Sequence, residues 1–216
     1  MPGTYSRLVR VLEDERAGLP ELAVVVESDV ALAAKILQLA NSALFGVRQP
    51  VSSLSQAISL LGIELLRTIA LSEGAFGRSE VPAAIRRSVA ALHEHSLLVA
   101  RTAAELTADT VMRRDVFAAG MLHDVGRLIM ALEPGPPDSS SLVIRRPAPR
   151  AAPAHALVGA YLLGLWGVPG LIIEAVAQHH TPPTPDTSVL AALVFQAEEL
   201  VENQSRLSKR FPEARR

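Results

Sequence analysis

The sequence lacks cysteine, and it lacks a surplus of charge of either sign. Without cysteine, the 216-residue chain has no disulfide, no Cys-ligated zinc site and no thiol nucleophile. Lysine and arginine total 21 against 22 aspartate and glutamate residues, so no basic field exists to attract a polyanion. This balance favours protein or small-molecule partners, and we expect no nucleic-acid or membrane partner.

The sequence also lacks an apolar run long enough to cross a membrane. Its longest strongly apolar stretch, Tyr161 to Ile173, is interrupted by glycines and a proline, and it falls short of the roughly 20 residues that a membrane-spanning helix needs. The first residues do not combine a basic start with an apolar segment, so they do not resemble a secretion signal. We therefore expect a cytoplasmic protein.

Apolar residues recur at the spacing of helices, and strand-like alternation is nearly absent. Leu54, Ala57, Ile58 and Leu61 stand at i, i+3, i+4 and i+7, which is typical of the buried face of a helix. The pattern predicts an all-α multi-helix bundle of about ten helices. The predicted spans are 4–16, 20–27, 29–43, 53–61, 63–76, 83–108, 113–132, 154–166, 169–180 and 187–203.

Helix-capping residues agree with these spans. Ser52 or Ser53 can cap a helix that ends at Gly62, and Ser28 or Asp29 can cap the helix before it. Two segments fall outside the pattern. Residues 134–153 are rich in proline, serine and alanine and predict a mobile loop, and residues 206–216 predict a solvated basic tail.

All six histidines lie between residues 93 and 180 and none in the first 92 residues, so the His-free front and the His-bearing back should do different jobs. His123 and Asp124 are neighbours on one predicted helix, about 100° apart, and both can lean toward one metal ion. Three further predicted helices carry histidines that could join them, namely His95, His155 and the pair His179 and His180. Of these residues, the set His95, His123, Asp124 and His155 predicts a convergent polar site.

A simpler interpretation exists for each histidine. A half-buried histidine is usually a core residue with one nitrogen hydrogen bonded, and this is the interpretation we favour for His93. His179 and His180 could also oppose the dipole at the end of their helix.

Longer motifs resemble the HDOD domain, and their order and spacing follow that family over about residues 4–203. The motifs are Asp29–Leu32, Asn41–Gly46, Ala57–Gly62, Met121–Arg127, His155–Leu163, Trp166–Pro169 and His179–Pro182. The resemblance implies one domain with a helical front subdomain, 4–80, and an HD-like subdomain, 83–203. The family is related to metal-dependent HD phosphohydrolases and serves mainly as a bacterial signalling output domain. The chain most resembles the version found in response regulators, which is linked to a receiver domain.

The resemblance also implies a set of metal ligands. They are His95, His123, Asp124, His155, His179, His180 and, in place of the family's closing aspartate, Glu198. Phe195 replaces a histidine that usually stands three residues before that carboxylate. Thr181–Thr184 replaces the Gly-Tyr-Pro signature of the relatives that cleave cyclic di-GMP.

Three more residues receive weaker assignments. Arg127 stands where an HD hydrolase usually has lysine and could contact a phosphate, although an exposed arginine at a helix end is the commoner case. Asn41 and Phe45 could form an interaction surface, although Asn41 could instead cap a helix or bond to the backbone.

Three functions remain open from the sequence. The leading hypothesis is a signal-transduction module that binds a protein partner in a signalling pathway, such as a receiver domain or a kinase, with a metal as vestigial or structural support. The second is a divalent-metal phosphohydrolase or cyclic-dinucleotide phosphodiesterase that uses Fe, Mn or Zn. The third is a sensor that binds a nucleotide without cleaving it.

Overall fold

The computed structural model describes residues 2–14, 16–76, 83–132 and 153–210. In these ranges the regular elements are all helices, joined by turns and loops, and there is no strand. This confirms the predicted all-α class. The helices in these ranges are α1 (Pro2–Glu13), α2 (Leu19–Val26), α3 (Val30–Ala40), α4 (Leu54–Phe76), α5 (Ala83–Glu105), α6 (Thr110–Leu122), α7 (Val125–Leu132), α8 (Ala154–Leu165), α9 (Gly170–Gln178) and α10 (Val189–Arg210).

Capping side chains explain where helices of the front half begin. Asp29 precedes α3 and accepts hydrogen bonds from the backbone N–H groups of Ala31 and Leu32 at 3.0 and 3.1 Å, which satisfies two donors that have no partner inside the helix. The sequence predicts two helices, 53–61 and 63–76, and α4 covers both. Gly62 marks the break between them, because its φ of 74° and ψ of 164° are not helical and suit glycine best.

One predicted helix is divided in two. The sequence predicts a continuous helix over 113–132 with His123 and Asp124 inside it, and this is wrong. Helix α6 ends at Leu122 and α7 begins at Val125, so the two residues form the turn between the helices. The Arg127 N–H donates to the Asp124 carbonyl at 2.9 Å, and this bond begins the new helix.

Close helix contacts hold this turn in place. A Cβ atom on Gly120 of α6 would lie 2.6 Å from the Cα of Ala100 on α5. A Cβ atom on Gly126 of α7 would lie 2.8 Å from the backbone nitrogen of Gly159 on α8, and closer still to a second α8 backbone atom. Only glycine permits these approaches, so α5, α7 and α8 are packed tightly around the turn.

Two predicted segments, the loop at 134–153 and the tail at 206–216, lie at or beyond the ends of the described ranges. The predicted loop at 134–153 lies outside them except for its last residue, so its mobility stays a prediction. The predicted tail starts inside a helix, because α10 continues to Arg210, and residues 211–216 are outside the described part. Among the helices described, none is long and apolar enough to cross a membrane.

Candidate metal centre

The seven predicted ligands meet at one place in the described part of the chain. Helix α5 contributes His95, α8 contributes His155, and α10 contributes Glu198. The α6–α7 turn contributes His123 and Asp124, and the residues directly after α9 contribute His179 and His180. Side chains separated by more than 100 positions in the sequence are thereby brought into contact.

Asp124 is the centre of the cluster. Its Oδ1 atom lies 3.0 Å from Nε2 of His155 and 3.6 Å from Nε2 of His179, and its Oδ2 atom lies 3.5 Å from Nε2 of His123. On the side of α10, the Glu198 Oε2 atom lies 3.1 Å from Nε2 of His95 and 3.5 Å from Nε2 of His123.

The donors form two groups that share Asp124. The first contains His95, His123 and Asp124, and the second contains Asp124, His155, His179 and His180. Within each group the potential ligand atoms lie within 4.8 Å of one another. In the second group, the His155 Nε2 atom is 3.3 Å from the Nε2 atoms of both His179 and His180. A carboxylate has two oxygens, so Asp124 can face both groups at once.

The backbone orients two of the imidazole rings. The Nδ1 atom of His123 lies 2.6 Å from the Gly120 carbonyl oxygen, and the Nδ1 atom of His179 lies 2.7 Å from the Val176 carbonyl oxygen. A carbonyl accepts only, so each Nδ1 carries a proton, and Nε2 is the nitrogen that can bind a metal once it is unprotonated. This arrangement, in which the outer nitrogen is held and the inner nitrogen faces the cluster, is typical of histidines that bind metals.

The inner atoms of the cluster fit a transition metal. Five atoms are shielded from solvent here, namely the Nε2 atoms of His95 and His123, both carboxylate oxygens of Asp124 and the Oε2 atom of Glu198. They form ion-pair contacts with one another and, through Asp124, with Arg127, but without the geometry of a hydrogen bond. Buried polar atoms are costly when unsatisfied, and a divalent ion among them would satisfy several together. Imidazole and carboxylate ligands suit Fe, Mn or Zn.

The carboxylates are ionised and His123 is protonated when no metal is bound. Burial raises the pKa of Asp124, but His123, His155 and His179 together hold it well below its usual value. Burial raises the pKa of Glu198 as well, and His95 and His123 lower it to about 2. Burial lowers the pKa of His123, but Asp124, Glu198 and the Gly120 carbonyl raise it to about 9.

Two other imidazoles of the cluster, those of His155 and His180, have lowered pKa values and are therefore neutral. Burial lowers the pKa of His155, although Asp124 opposes the effect. Burial and the neighbouring His179 lower the pKa of His180 to about 3. Only the neutral ring binds a metal, so His155 and His180 are ready to act as ligands at neutral pH.

Arg127 is buried, with 4% of its surface exposed, so its interpretation as an exposed arginine at a helix end is wrong. Its Nε atom lies 2.7 Å from Oδ1 of Asp124, and the guanidinium therefore helps to hold the shared carboxylate. The predicted phosphate contact of Arg127 remains a prediction.

Two other residues singled out in the sequence lie away from the cluster. His93 is half-buried beside Asp29, with 3.7 Å between its Nε2 atom and Oδ1 of the carboxylate, as expected for a histidine at the edge of the core. Asn41 bonds to the backbone, which was its simpler interpretation. Its amide donates to the carbonyls of Leu37 and Val51, each at 2.9 Å, and accepts from the Val51 N–H at 2.7 Å.

The segment that contains Asn41 stays a predicted interaction surface. Phe45 packs partly buried against the core, and Leu44 beside it is 84% exposed. Gly126 makes a close contact with α8 that positions His155, and the sequence pattern did not single it out as a functional residue. The sequence shows only that a glycine stands two residues after Asp124. It does not show which helix packs against this glycine.

An all-helical domain with buried imidazoles and carboxylates gathered at a helix–turn–helix junction is an HD-type domain. The HD domain family matches residues 92–205, a span that contains all seven predicted ligands. The HDOD domain family matches residues 1–143, more than half of the chain. The chain belongs to the HDOD family.

Solved structures share the fold over nearly the whole chain. The MmoQ response regulator from Methylococcus capsulatus is 27% identical with a TM-score of 0.77, and the match covers 95% of this chain and 86% of that one. A virulence factor from Campylobacter jejuni is 18% identical with a TM-score of 0.66, covering 94% and 75% of the two chains, which shows the fold alone.

A curated relative is much longer than this chain. An uncharacterized protein from Treponema pallidum is 24% identical over 194 residues, which are 85% of this chain and 37% of that protein. The chain thus spans little more than a third of the length of this relative.

Proposed function

We propose that this chain is a bacterial signalling module that acts by binding another protein, and that a divalent metal in its HD-like half serves as structural support. The observation that carries this proposal is the burial of the ligand atoms. His123, Asp124 and Glu198 expose 0%, 1% and 3% of their surface. Structural metal sites are closed, whereas catalytic sites keep a position open to substrate.

The position of the ligands explains what the metal would support. The donors come from α5, the α6–α7 turn, α8, the end of α9 and α10, so one centre joins the elements of the second half. When bound, a divalent ion would neutralise the two buried carboxylates and replace the proton that His123 otherwise holds. The signalling role is supported by the likeness to a response regulator, and a receiver domain or a kinase is the class of partner that we propose.

Metal analysis and a binding assay on the same samples test this proposal. The wild-type chain should contain Fe, Mn or Zn after purification, and its removal by a chelator should lower the melting temperature. The Asp124→Ala variant should lose the metal, whereas His93→Ala, which changes a histidine outside the cluster, should retain it. The metal-loaded chain, used as bait against purified receiver and kinase domains, should bind one of them and hydrolyse no cyclic dinucleotide.

Opposite outcomes contradict the proposal. A chain that captures neither class of domain but hydrolyses a nucleotide steadily is an enzyme rather than an interaction module. Equal metal content in wild type and Asp124→Ala would place the metal elsewhere.

A second candidate function, a metal-dependent phosphohydrolase, is supported by the number of ligands. A structural site needs about four, and this cluster has enough donors for two ions that share Asp124. When bound, such ions would lower the pKa of a water and polarise a phosphoryl oxygen. In this case the ionised Asp124 and Glu198 would hold the ions, and Arg127 would keep the Asp124 carboxylate oriented.

The hydrolase candidate is tested by turnover of cyclic dinucleotides with Fe, Mn or Zn added. His123→Ala and Asp124→Ala should both abolish turnover and metal binding. Activity that survives in either variant rejects this candidate, because it would then come from outside the cluster.

A further inference from the structure

One face of α8 is apolar and open to solvent. Leu157, Tyr161 and Leu165 follow one another at intervals of four residues and therefore form a stripe along the helix. Their exposed fractions are 55%, 71% and 66%. We call these three residues the α8 stripe. Scattered exposed apolar residues are common, whereas a continuous apolar stripe indicates a surface that is covered by a partner.

The stretch of sequence that contains the α8 stripe carries no charged side chain. Residues 151–173 contain no aspartate, glutamate, lysine or arginine, although 20% of the whole chain is charged. A helix that is apolar on all sides is typically buried on all sides. One side of α8 meets this expectation, since Gly159 packs against Val125 and Val176. The side that carries the stripe does not.

The absence of charge restricts the kind of partner. An acidic or basic surface would lose its hydration on this face and gain no counter-charge in return. An uncharged surface suits it, and a second copy of the same stripe meets that requirement without like-charge repulsion.

The order of residues on α8 is symmetric about Tyr161. Leucines stand four residues before and four residues after it, at 157 and 165. In an antiparallel pair of α8 helices related by a two-fold axis at Tyr161, the leucine at 157 of each copy faces the leucine at 165 of the other. The same symmetry sets Val158 opposite Gly164, which combines a larger side chain with a smaller one and allows the helices to approach closely.

The stripe supplies most of the area that such a pair needs. With a full area on the order of 200 Å² for a large side chain, the exposed parts of the three residues amount to roughly 400 Å² per copy. Two copies would bury roughly 800 Å² from these side chains alone, and the uncharged residues beside them add to it. This approaches the roughly 1,000 Å² expected of a specific interface.

We propose that two copies of this chain associate through their α8 stripes, antiparallel about a two-fold axis at Tyr161. The interface is separate from the metal centre, because the ligand on α8, His155, is buried and stands about 120° around the helix from Tyr161. This inference goes beyond the proposed function and does not depend on the identity of the signalling partner.

Sedimentation of the purified chain tests the proposal. Between about 1 and 100 µM, a range that includes the weaker specific interfaces, wild type should change from the mass of one chain to that of two. Tyr161→Arg sets two positive charges against each other at the axis and should raise the dimer Kd at least about 100-fold. Val111→Arg changes a valine on α6 that is 69% exposed and should leave the Kd unchanged.

Cross-linking supplies a second test that does not rely on loss of association. Because the chain has no cysteine, a cysteine introduced by Tyr161→Cys is the only thiol in each copy. A short bis-maleimide should join two copies of Tyr161→Cys much faster than two copies of Val111→Cys. The proposal is overturned if wild type remains a monomer at 100 µM, if Tyr161→Arg dimerises like wild type, or if both cysteine variants cross-link equally.

Discussion

Replacing Gly126 by alanine should disturb the metal centre without touching a ligand. The added Cβ would lie 2.8 Å from the Gly159 nitrogen and 2.9 Å from the His155 carbonyl carbon. Ordinary contacts of this kind are about 3.5 Å or longer, so α8 must move away from α7 by more than half an ångström. That shift carries His155 away from Asp124, from which it is separated by 3.0 Å.

The expected loss of stability follows from two opposing effects. Overpacking against rigid backbone costs about 1–3 kcal/mol or more, and alanine recovers up to about 1 kcal/mol of helix propensity relative to glycine. We expect a net destabilisation of about 2 kcal/mol, which corresponds to a fall in melting temperature of about 4–8 °C for a chain of this size.

Thermal unfolding and metal content, measured on the same preparations, check this prediction. Gly126→Ala should melt several degrees below wild type and hold less metal. Gly170→Ala is the matched control, since a Cβ there meets nothing within 4 Å, and it should match wild type in both measurements. If Gly126→Ala matches wild type in melting temperature and metal content, then α8 accommodates the added methyl group without moving, which contradicts this prediction.

Three further changes have expected outcomes. Asn41→Ala removes the side chain that bonds to Leu37 and Val51. It should lower the free energy of unfolding in urea by about 2–3 kcal/mol. A loss below about 0.5 kcal/mol, roughly the lower limit for one such bond, would contradict this prediction. Asp29→Ala removes the cap of α3 and should cost about 1–2 kcal/mol in the same assay, with Asp29→Asn losing less because its amide oxygen can still cap. In the metal-free protein, folding lowers the pKa of Glu198 from 4.5 to about 2. The ionised carboxylate therefore stabilises the fold fully above pH 4.5, and this stabilisation disappears as the pH falls toward 2. The melting temperatures of wild type and Glu198→Gln should differ at pH 6 and converge in acid.

The sequence is a good guide to elements governed by local chemistry. Asp29 begins α3 because its carboxylate reaches two N–H groups close to it in the chain, and Gly62 interrupts α4 because glycine accepts a positive φ. The distribution of the histidines over four predicted helices and the family motif both pointed to them, the motif alone pointed to Glu198, and the structure brings these residues together. Local chemistry and motif spacing were sufficient for these predictions.

Other features depend on contacts between distant helices. The turn at His123 and Asp124 contains no proline, and the Asp124 carboxylate faces the histidines of the cluster. The apolar period continues through the turn and therefore predicts one helix. The burial of Arg127 depends on its pairing with Asp124 inside a packed bundle. Likewise, the role of Gly126 depends on which helix crosses it, and none of these contacts can be read from spacing along one chain.

We propose that Asp124 is the shared ligand of a buried metal centre, and elemental analysis of wild type beside Asp124→Ala is the direct test of this proposal. We expect a metal content of about one or two equivalents of Fe, Mn or Zn per wild-type chain. The Asp124→Ala variant should hold little or none and should have a lower melting temperature. A wild-type chain that stays metal-free after incubation with each of these ions, and whose melting temperature none of them raises, would contradict the claim.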